Sequence, residues 1–254
     1  MELFSKRLLS TRKKQPEYTL KVVTTPTAAS CTLTFNGVEY NVKTLTVPEG
    51  SVISYYIYDS TYGKTTGSIT MSRNRTLTAK GVKKTEEIES AWSQPKLSAN
   101  GTVGGKKFAV EADGEYTANN KAYHAFDNNY STFWRSTPYL PKSITFYNPD
   151  PLKVTNLKIY NANKNEPYIK DYVVYGSNNN SSWTKLTSGT NTNYTIGSSW
   201  NISMSSNKSY YKYYKIKTET CKTFGGPYAI IAECKITANT KTTKTTYTWE
   251  KSVT

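Results

Sequence analysis

Among 254 residues there is one histidine and there are three cysteines. With His124 as the only imidazole, zinc-ligand spacings and Cys-His or Ser-His dyads have no support. His124 is flanked by apolar residues, which suits a packed or surface ring better than a base. Cys31, Cys221 and Cys234 are few, odd in number and far apart, so they make no disulfide framework. A Cys221–Cys234 bridge and buried free thiols both stay open. No apolar run approaches the roughly 20 residues that cross a bilayer as a helix, so membrane insertion is not expected. Residues with a helical 3.6 period do not recur over a useful length. Acid is scarce as well, 18 Asp plus Glu against 33 Lys plus Arg, a net charge of +15. No carboxylate pair of the glycosidase kind is recognisable, and the chain is expected not to be an enzyme.

What is abundant is the aromatic ring. Tyr occurs 22 times, Phe 7 and Trp 5, far too many buryable rings for a solvated coil. At about 150 residues per domain, the length implies one or two domains.

Short alternating runs broken by turn residues organise the first third. In Cys31–Phe35 the odd positions are apolar and the even ones are Thr, which is how a strand with one buried face reads. Asn36-Gly37 follows, and this dipeptide suits a two-residue type I′ turn because both central residues need positive φ. A hairpin with Val38–Val42 is predicted, followed by strands near Val52–Tyr58 and Ser68–Met71, with turns at Pro48–Gly50 and Tyr62-Gly63. Residues 17–81 thus form a small immunoglobulin-like β-domain. Its opening Val22-Val-Thr-Thr-Pro26 and its Pro-Glu-Gly turn resemble PEGA-type surface domains. Residues 1–16 form a basic arm that can anchor the chain to an acidic assembly, and residues 82–90, polar and mixed in charge, form a linker. Strands are predicted near Phe108–Glu111, Ser143–Tyr147, Val154–Tyr160, Asp171–Ser177, Trp183–Thr187, Tyr210–Thr218 and Ala229–Thr237. Such regular spacing argues for a sandwich or jelly roll. The Thr-rich stretch 239–254 is either a tail or an added strand that packs on a partner.

The segment Ala122-Tyr-His-Ala-Phe-Asp-Asn-Asn-Tyr-Ser-Thr-Phe-Trp134 resembles the A-x-x-A-F-D-G-x-x-x-T-x-W signature of the discoidin family, the coagulation-factor type C domains that include many carbohydrate-binding modules. Four further stretches follow in the family's order: Lys142–Phe146, Ile169–Ser177, Ser182-Trp183, and the pair Tyr213–Ile216 with Ala229–Ile236. Together they cover about residues 91–238 and imply a discoidin-like β-sandwich. The fold class expected for the whole chain is therefore all-β, a small immunoglobulin-like sandwich followed by a discoidin-like jelly roll.

The resemblance implies a structural calcium site built from the carbonyl of Phe126, the carboxylate of Asp127, the carbonyl of Asn129, the oxygens of Thr132, and Ala232 or Glu233 from the last strand. Hard oxygen donors of this kind are what Ca2+ selects. Asn128 stands where the family usually has Gly; Asn tolerates the left-handed conformation better than most residues. Trp134 reads as a core ring. The resemblance also places ligands in loops at one end of the sandwich. The polar positions there are Glu115, Arg135 and Lys164, and the rings available for stacking on a sugar are Tyr116, Tyr139, Phe224 and Tyr228.

Basic residues are dispersed among Thr and Asn, with no nucleic-acid motif, so nucleic acid is not an expected partner; attraction to anionic glycans, cell envelopes or an acidic protein shell is. The first fourteen residues do not form a secretory signal. Trp92–Pro95 with Asn100–Gly105, and Ile144–Pro149, are similar to discoidin-like domains of tailed-phage fibre and decoration proteins. These readings predict a non-enzymatic virion protein, a homo-oligomer joined to other virion proteins through its N-terminal part and displaying a domain that binds a cell-surface glycan. The alternatives are a bacterial cell-surface carbohydrate-binding module and a purely architectural virion protein.

Overall fold

A computed structural model of the chain describes residues 14–101, 107–222 and 226–254. Residues 1–13 of the expected basic arm, and Phe224, lie outside the described residues. The chain divides into two compact units, residues 1–86 with 243–254 and residues 87–242. Strands and turns dominate both, and the one helical segment among the described residues is a 3-10 turn at Ala122–Phe126.

The first unit holds β1 (Glu17–Thr25), β2 (Ser30–Phe35), β3 (Val38–Tyr40), β4 (Thr44–Pro48), β5 (Val52–Asp59), β6 (Gly63–Thr70) and the beginning of β7 (Arg75–Ala91). One sheet runs β3-β2-β5-β6; in the other, β1 pairs antiparallel with β4 and parallel with β7. The period of two in the sequence becomes the packing. Ile53, Tyr55 and Ile57 of β5 turn inward against Leu20, Leu33, Val47, Leu77 and Met71, while Val52, Ser54, Tyr56 and Tyr58 face out. Full burial of each such aliphatic side chain contributes about 2 kcal/mol. Asn36 and Gly37 have φ of +49° and +77°, and Phe35 stands opposite Val38, so the type I′ hairpin forms as the dipeptide dictates. A methyl group at Gly37 would meet nothing within 4 Å. Gly37→Ala is therefore expected to cost about 1 kcal/mol through backbone conformation alone, visible as a lower thermal midpoint with the far-ultraviolet dichroism unchanged.

The second unit contains β8 (Ala109–Ala112), β9 (Trp134–Arg135), β10 (Lys142–Tyr160), β11 (Tyr168–Ile169), β12 (Asp171–Ser177), β13 (Thr184–Thr190), β14 (Ser199–Ser203), β15 (Tyr211–Thr218), β16 (Cys221–Lys222), β17 (Ile230–Ile231) and the beginning of β18 (Glu233–Val253). Its main sheet runs β13-β12-β15-β10-β18, with β8 and β14 also pairing with β10. The short pairs β9–β17 and β11–β16 lie outside that sheet. This is a discoidin-like β-sandwich. Its core stacks Phe146 on Tyr214 at 5.3 Å and sets Phe108 edge-on to Phe126 at 5.8 Å. Trp134 is fully buried, and its indole N–H donates to Gly114 O at 3.1 Å.

The predicted strands at 143–147 and 154–160 are one strand, β10, irregular where register shifts between Tyr147 and Leu152. Pro149 and Pro151 fall in that interval and have no N–H to give to a neighbour, so the ladder is interrupted there. Residues 82–90, expected as a linker, are strand within β7, and residues 239–254, expected as a tail or partner-seeking strand, continue β18. Cross-strand charge takes the place of apolar alternation here: Lys241 donates to Glu87 at 2.6 Å in the second unit, and Lys84 pairs with Glu250 in the first. Residues 243–254 pack on their own chain. Trp249 donates to Gly63 O at 3.1 Å and lies 5.5 Å from the Tyr62 ring, and Thr76 and Thr254 exchange both backbone hydrogen bonds. All three cysteines are free thiols. No helix among the described residues is long and apolar enough to cross a membrane.

Candidate functional site

Two short strands bring distant parts of the sequence together. In the β9–β17 pair Arg135 stands opposite Ile230, and the Tyr116 N–H donates to Arg135 O at 2.9 Å, so residues 116, 135 and 228 converge on one loop end. The Arg135 guanidinium carbon lies 4.3 Å from the Tyr116 ring centre and 4.0 Å from that of Tyr228, and the two rings meet edge to face at 5.1 Å. The cation thus lies beside both rings, within cation–π distance of each. One edge of the guanidinium reaches Glu166, with Nη1 3.3 Å from Oε2. Lys164 stands on the other side of that carboxylate, Nζ 3.6 Å from Oε1 and 4.6 Å from the Phe133 ring centre. The Arg135 Nε–H is buried and has no hydrogen-bond acceptor among the described residues. A row of cation, carboxylate and cation offers both donors and acceptors to paired hydroxyls, beside rings that can cover an apolar face.

Glu166 is absent from the sequence-based set. Its signal is the alternation Lys164-Asn165-Glu166 ahead of Pro167, in which only the lysine drew attention. Glu115 is placed apart from the ring pair. Its Oε1 accepts from Asn100 Nδ2 at 2.5 Å and from the Ala122 N–H at 2.8 Å, and its Oε2 pairs with Lys121 at 2.7 Å. Burial raises its pKa, and these three donors outweigh that and leave the carboxyl lowered, which makes Glu115 a loop anchor. Tyr139 is 79% exposed on a turn at φ +70° and joins no ring contact of the cluster.

Oxygen donors converge separately at the start of the signature. The Asp127 carboxylate receives Thr132 Oγ1 at 2.7 Å and the Asn129 N–H at 2.9 Å; Thr132 Oγ1 also lies 2.8 Å from Asn129 O. His124 Nδ1 is 2.7 Å from Asp127 Oδ2, so that nitrogen carries the proton and the ring serves as a packed partner of the carboxylate. Asn128 sits at φ +56°, the left-handed turn its position requires. Phe126 O accepts the Leu97 N–H at 2.9 Å, and Ala232 donates its N–H to Tyr160 O. Glu233 is fully buried and neither of its oxygens receives a hydrogen bond of good geometry. The Lys235 ammonium, 3.4 Å from Oε1, and the Asn128 main chain favour its charge. Burial nonetheless pushes its carboxyl up to about 7, with the nearby Asp127 charge adding to the rise. Two carboxylates with hydroxyl and carbonyl oxygens suit a hard cation, although the Lys235 ammonium already stands at one of them.

The family described as the F5/8 type C domain matches residues 108–234, half of the chain. The chain belongs to the F5/8 type C domain family. Within this F5/8 type C domain the signature segments occupy the 3-10 turn, β10, β11 with β12, β15, and β17 with β18. Among solved structures, the chain is similar to a CBM32 module from a family 31 glycoside hydrolase of Clostridium perfringens, at 19% identity over 54% of this chain and 92% of that one, with a TM-score of 0.46. It is also similar to the family 32 module of C. perfringens NanJ in complex with galactose, at 22% identity over 61% of this chain and 100% of that one, with a TM-score of 0.45. No curated protein matches the chain.

Proposed function

We propose that the F5/8 type C domain binds a saccharide without transforming it, and that Arg135, beside both Tyr116 and Tyr228, is the centre of the site. The observation that supports this is the guanidinium in contact with both rings and next to the Lys164–Glu166 pair. A sugar hydroxyl pair can donate to the Glu166 carboxylate and accept from Arg135 and Lys164, while Tyr116, 46% exposed, covers a ring face. Asp127, Asn129, Thr132 and Glu233 would hold a Ca2+ ion, with Phe126 O and Ala232 as further main-chain candidates, and its part is to rigidify the loop against the last strand. Tyr139 and Phe224 belong to this proposal as further candidate stacking rings.

The wider reading carries the domain on a phage particle, as an oligomeric fibre or decoration protein that attaches through its N-terminal part. It rests on the likeness of Trp92–Pro95 and Ile144–Pro149 to such proteins and on the +15 charge. A bacterial surface module would use the same site. The full chain, fluorescently labelled, is expected to give discrete signals on a glycan array that vanish in Arg135→Ala. An array blank with wild-type protein overturns the saccharide reading. Immunogold against the chain is expected to decorate particles; decoration of uninfected cell surfaces would overturn the virion assignment.

A further inference from the structure

A second hollow lies on the outer face of the main sheet and shares no residue with the Tyr116–Arg135–Tyr228 cluster. Strand β15 buries Tyr214, Ile216 and Thr218 and turns Tyr213, Lys215 and Lys217 the other way. In register, Lys215 stands between Thr145 of β10 and Tyr175 of β12, and Lys217 between Ser143 and Val173. Trp183, just before β13, brings its indole to this face, with the Lys215 ammonium 3.9 Å from the ring centre. Ser143, Tyr175, Trp183, Lys215 and Lys217 enclose about 310 Å³.

The two lysines differ. Lys217 is paired with Glu219 at 2.8 Å, which holds it charged. Lys215 has no carboxylate within ion-pair distance among the described residues, and the indole alone orders its ammonium. A cation ordered in advance on an aromatic face loses little freedom when an anion arrives. Of the lining side chains only Lys215 and Lys217 are charged, and Glu219 answers Lys217. In the same row Glu111 of β8 and Lys185 of β13 stand two strands from Lys215 on either side and offset one another, so Lys215 is the cation left for an anionic group. That leaves Lys215 for a single carboxylate, with the Ser143 and Tyr175 hydroxyls beside it for ring hydroxyls.

We propose that this hollow is a second saccharide site, selective for an acidic sugar: the carboxylate of a uronate meets Lys215, a ring hydroxyl meets Tyr175 or Ser143, and the sugar lies against the indole. The site goes beyond the Arg135 reading and stands or falls apart from it.

Trigalacturonate is the probe, titrated into the full-length protein by calorimetry at about 0.15 M salt, where exposed charges separated by more than about a Debye length are screened. The Trp183 indole N–H resonance is followed in parallel. Binding is expected with a shift of that resonance. Lys215→Gln and Trp183→Ala are each expected to weaken it about tenfold or more, and Lys215→Arg to retain it, since arginine also stacks on indole. Lys208→Gln, an exposed lysine elsewhere in this unit, is the control for diffuse attraction, and Arg135→Ala separates the two sites. The proposal is overturned if trigalacturonate does not bind, if Lys208→Gln weakens it as much as Lys215→Gln, if Arg135→Ala abolishes it, or if a short oligothymidylate displaces it at equal concentration.

Discussion

Arg135→Ala is expected to lower saccharide affinity by about two orders of magnitude, roughly 3 kcal/mol, in isothermal titration with whichever glycan gives the strongest array signal. Three losses coincide. The cation leaves the faces of Tyr116 and Tyr228, the Glu166 carboxylate keeps only Lys164 at 3.6 Å, and the donors directed at sugar oxygens are gone. Tyr228→Ala removes the ring nearer the guanidinium and its edge contact with Tyr116, so its loss is expected to be of similar order. Arg135→Lys separates charge from shape. It keeps a cation near Glu166 but neither the planar group against the rings nor the two-pronged donor edge, and an affinity between those of wild type and Arg135→Ala is expected. The thermal midpoint is expected to fall in Arg135→Ala, because the largely buried Glu166 carboxylate loses one of its two cations, so affinity is measured well below that midpoint. Unchanged affinity in both Arg135→Ala and Tyr228→Ala would remove the cluster from the binding site.

The cluster shows which features a sequence displays. Trp134, Phe126 and the Asn36-Gly37 turn are legible because their determinants are local: a motif of adjacent residues in one case, two residues with positive φ in the other. The all-β class is legible for the same reason, since period two appears in each strand separately. Arg135 and Tyr228 stand 93 positions apart, and only the pairing of two two-residue strands joins them; strands that short leave no period to detect. Glu166 is concealed by lying in a loop, where a lone carboxylate ordinarily reads as solvated surface. The outer ends of β7 and β18 escape for a different reason. Their residues are exposed on both faces, so alternation of apolar and polar has no cause to arise, and the pairing is carried by Glu87 with Lys241 and Glu250 with Lys84. The Lys215–Trp183 hollow is likewise unreadable from a linear text, because its members occupy the outward positions of three strands ordered differently in space and in sequence.

Glu233 yields the second large effect. Burial raises its carboxyl to about 7, against about 4.5 for an exposed glutamate, even though Lys235 and the Asn128 main chain favour the charged form. A folded state that holds this proton more tightly than the unfolded chain gains stability as the pH falls. With chelator present, unfolding free energy is therefore expected to be greatest below about pH 4.5 as far as this group is concerned, and to decline as pH rises towards 7, by about 3 kcal/mol in all. At the proposed site Ca2+ would add a partner for the ionised carboxylate. At about a hundredfold excess over its dissociation constant it should raise stability by about 3 kcal/mol and flatten that decline, since the bound ion favours the ionised carboxylate. Glu233→Gln separates the two contributions: in chelator at pH about 8 it is expected to be more stable than wild type, with the slope reduced, and to lose most of the response to Ca2+. Urea melts across pH, with and without the ion, measure all of this. A Ca2+ response preserved in Glu233→Gln would place the ion elsewhere. A wild type indifferent to Ca2+ at neutral pH would mean that Lys235, 3.4 Å from the carboxylate, is the only cation this site takes.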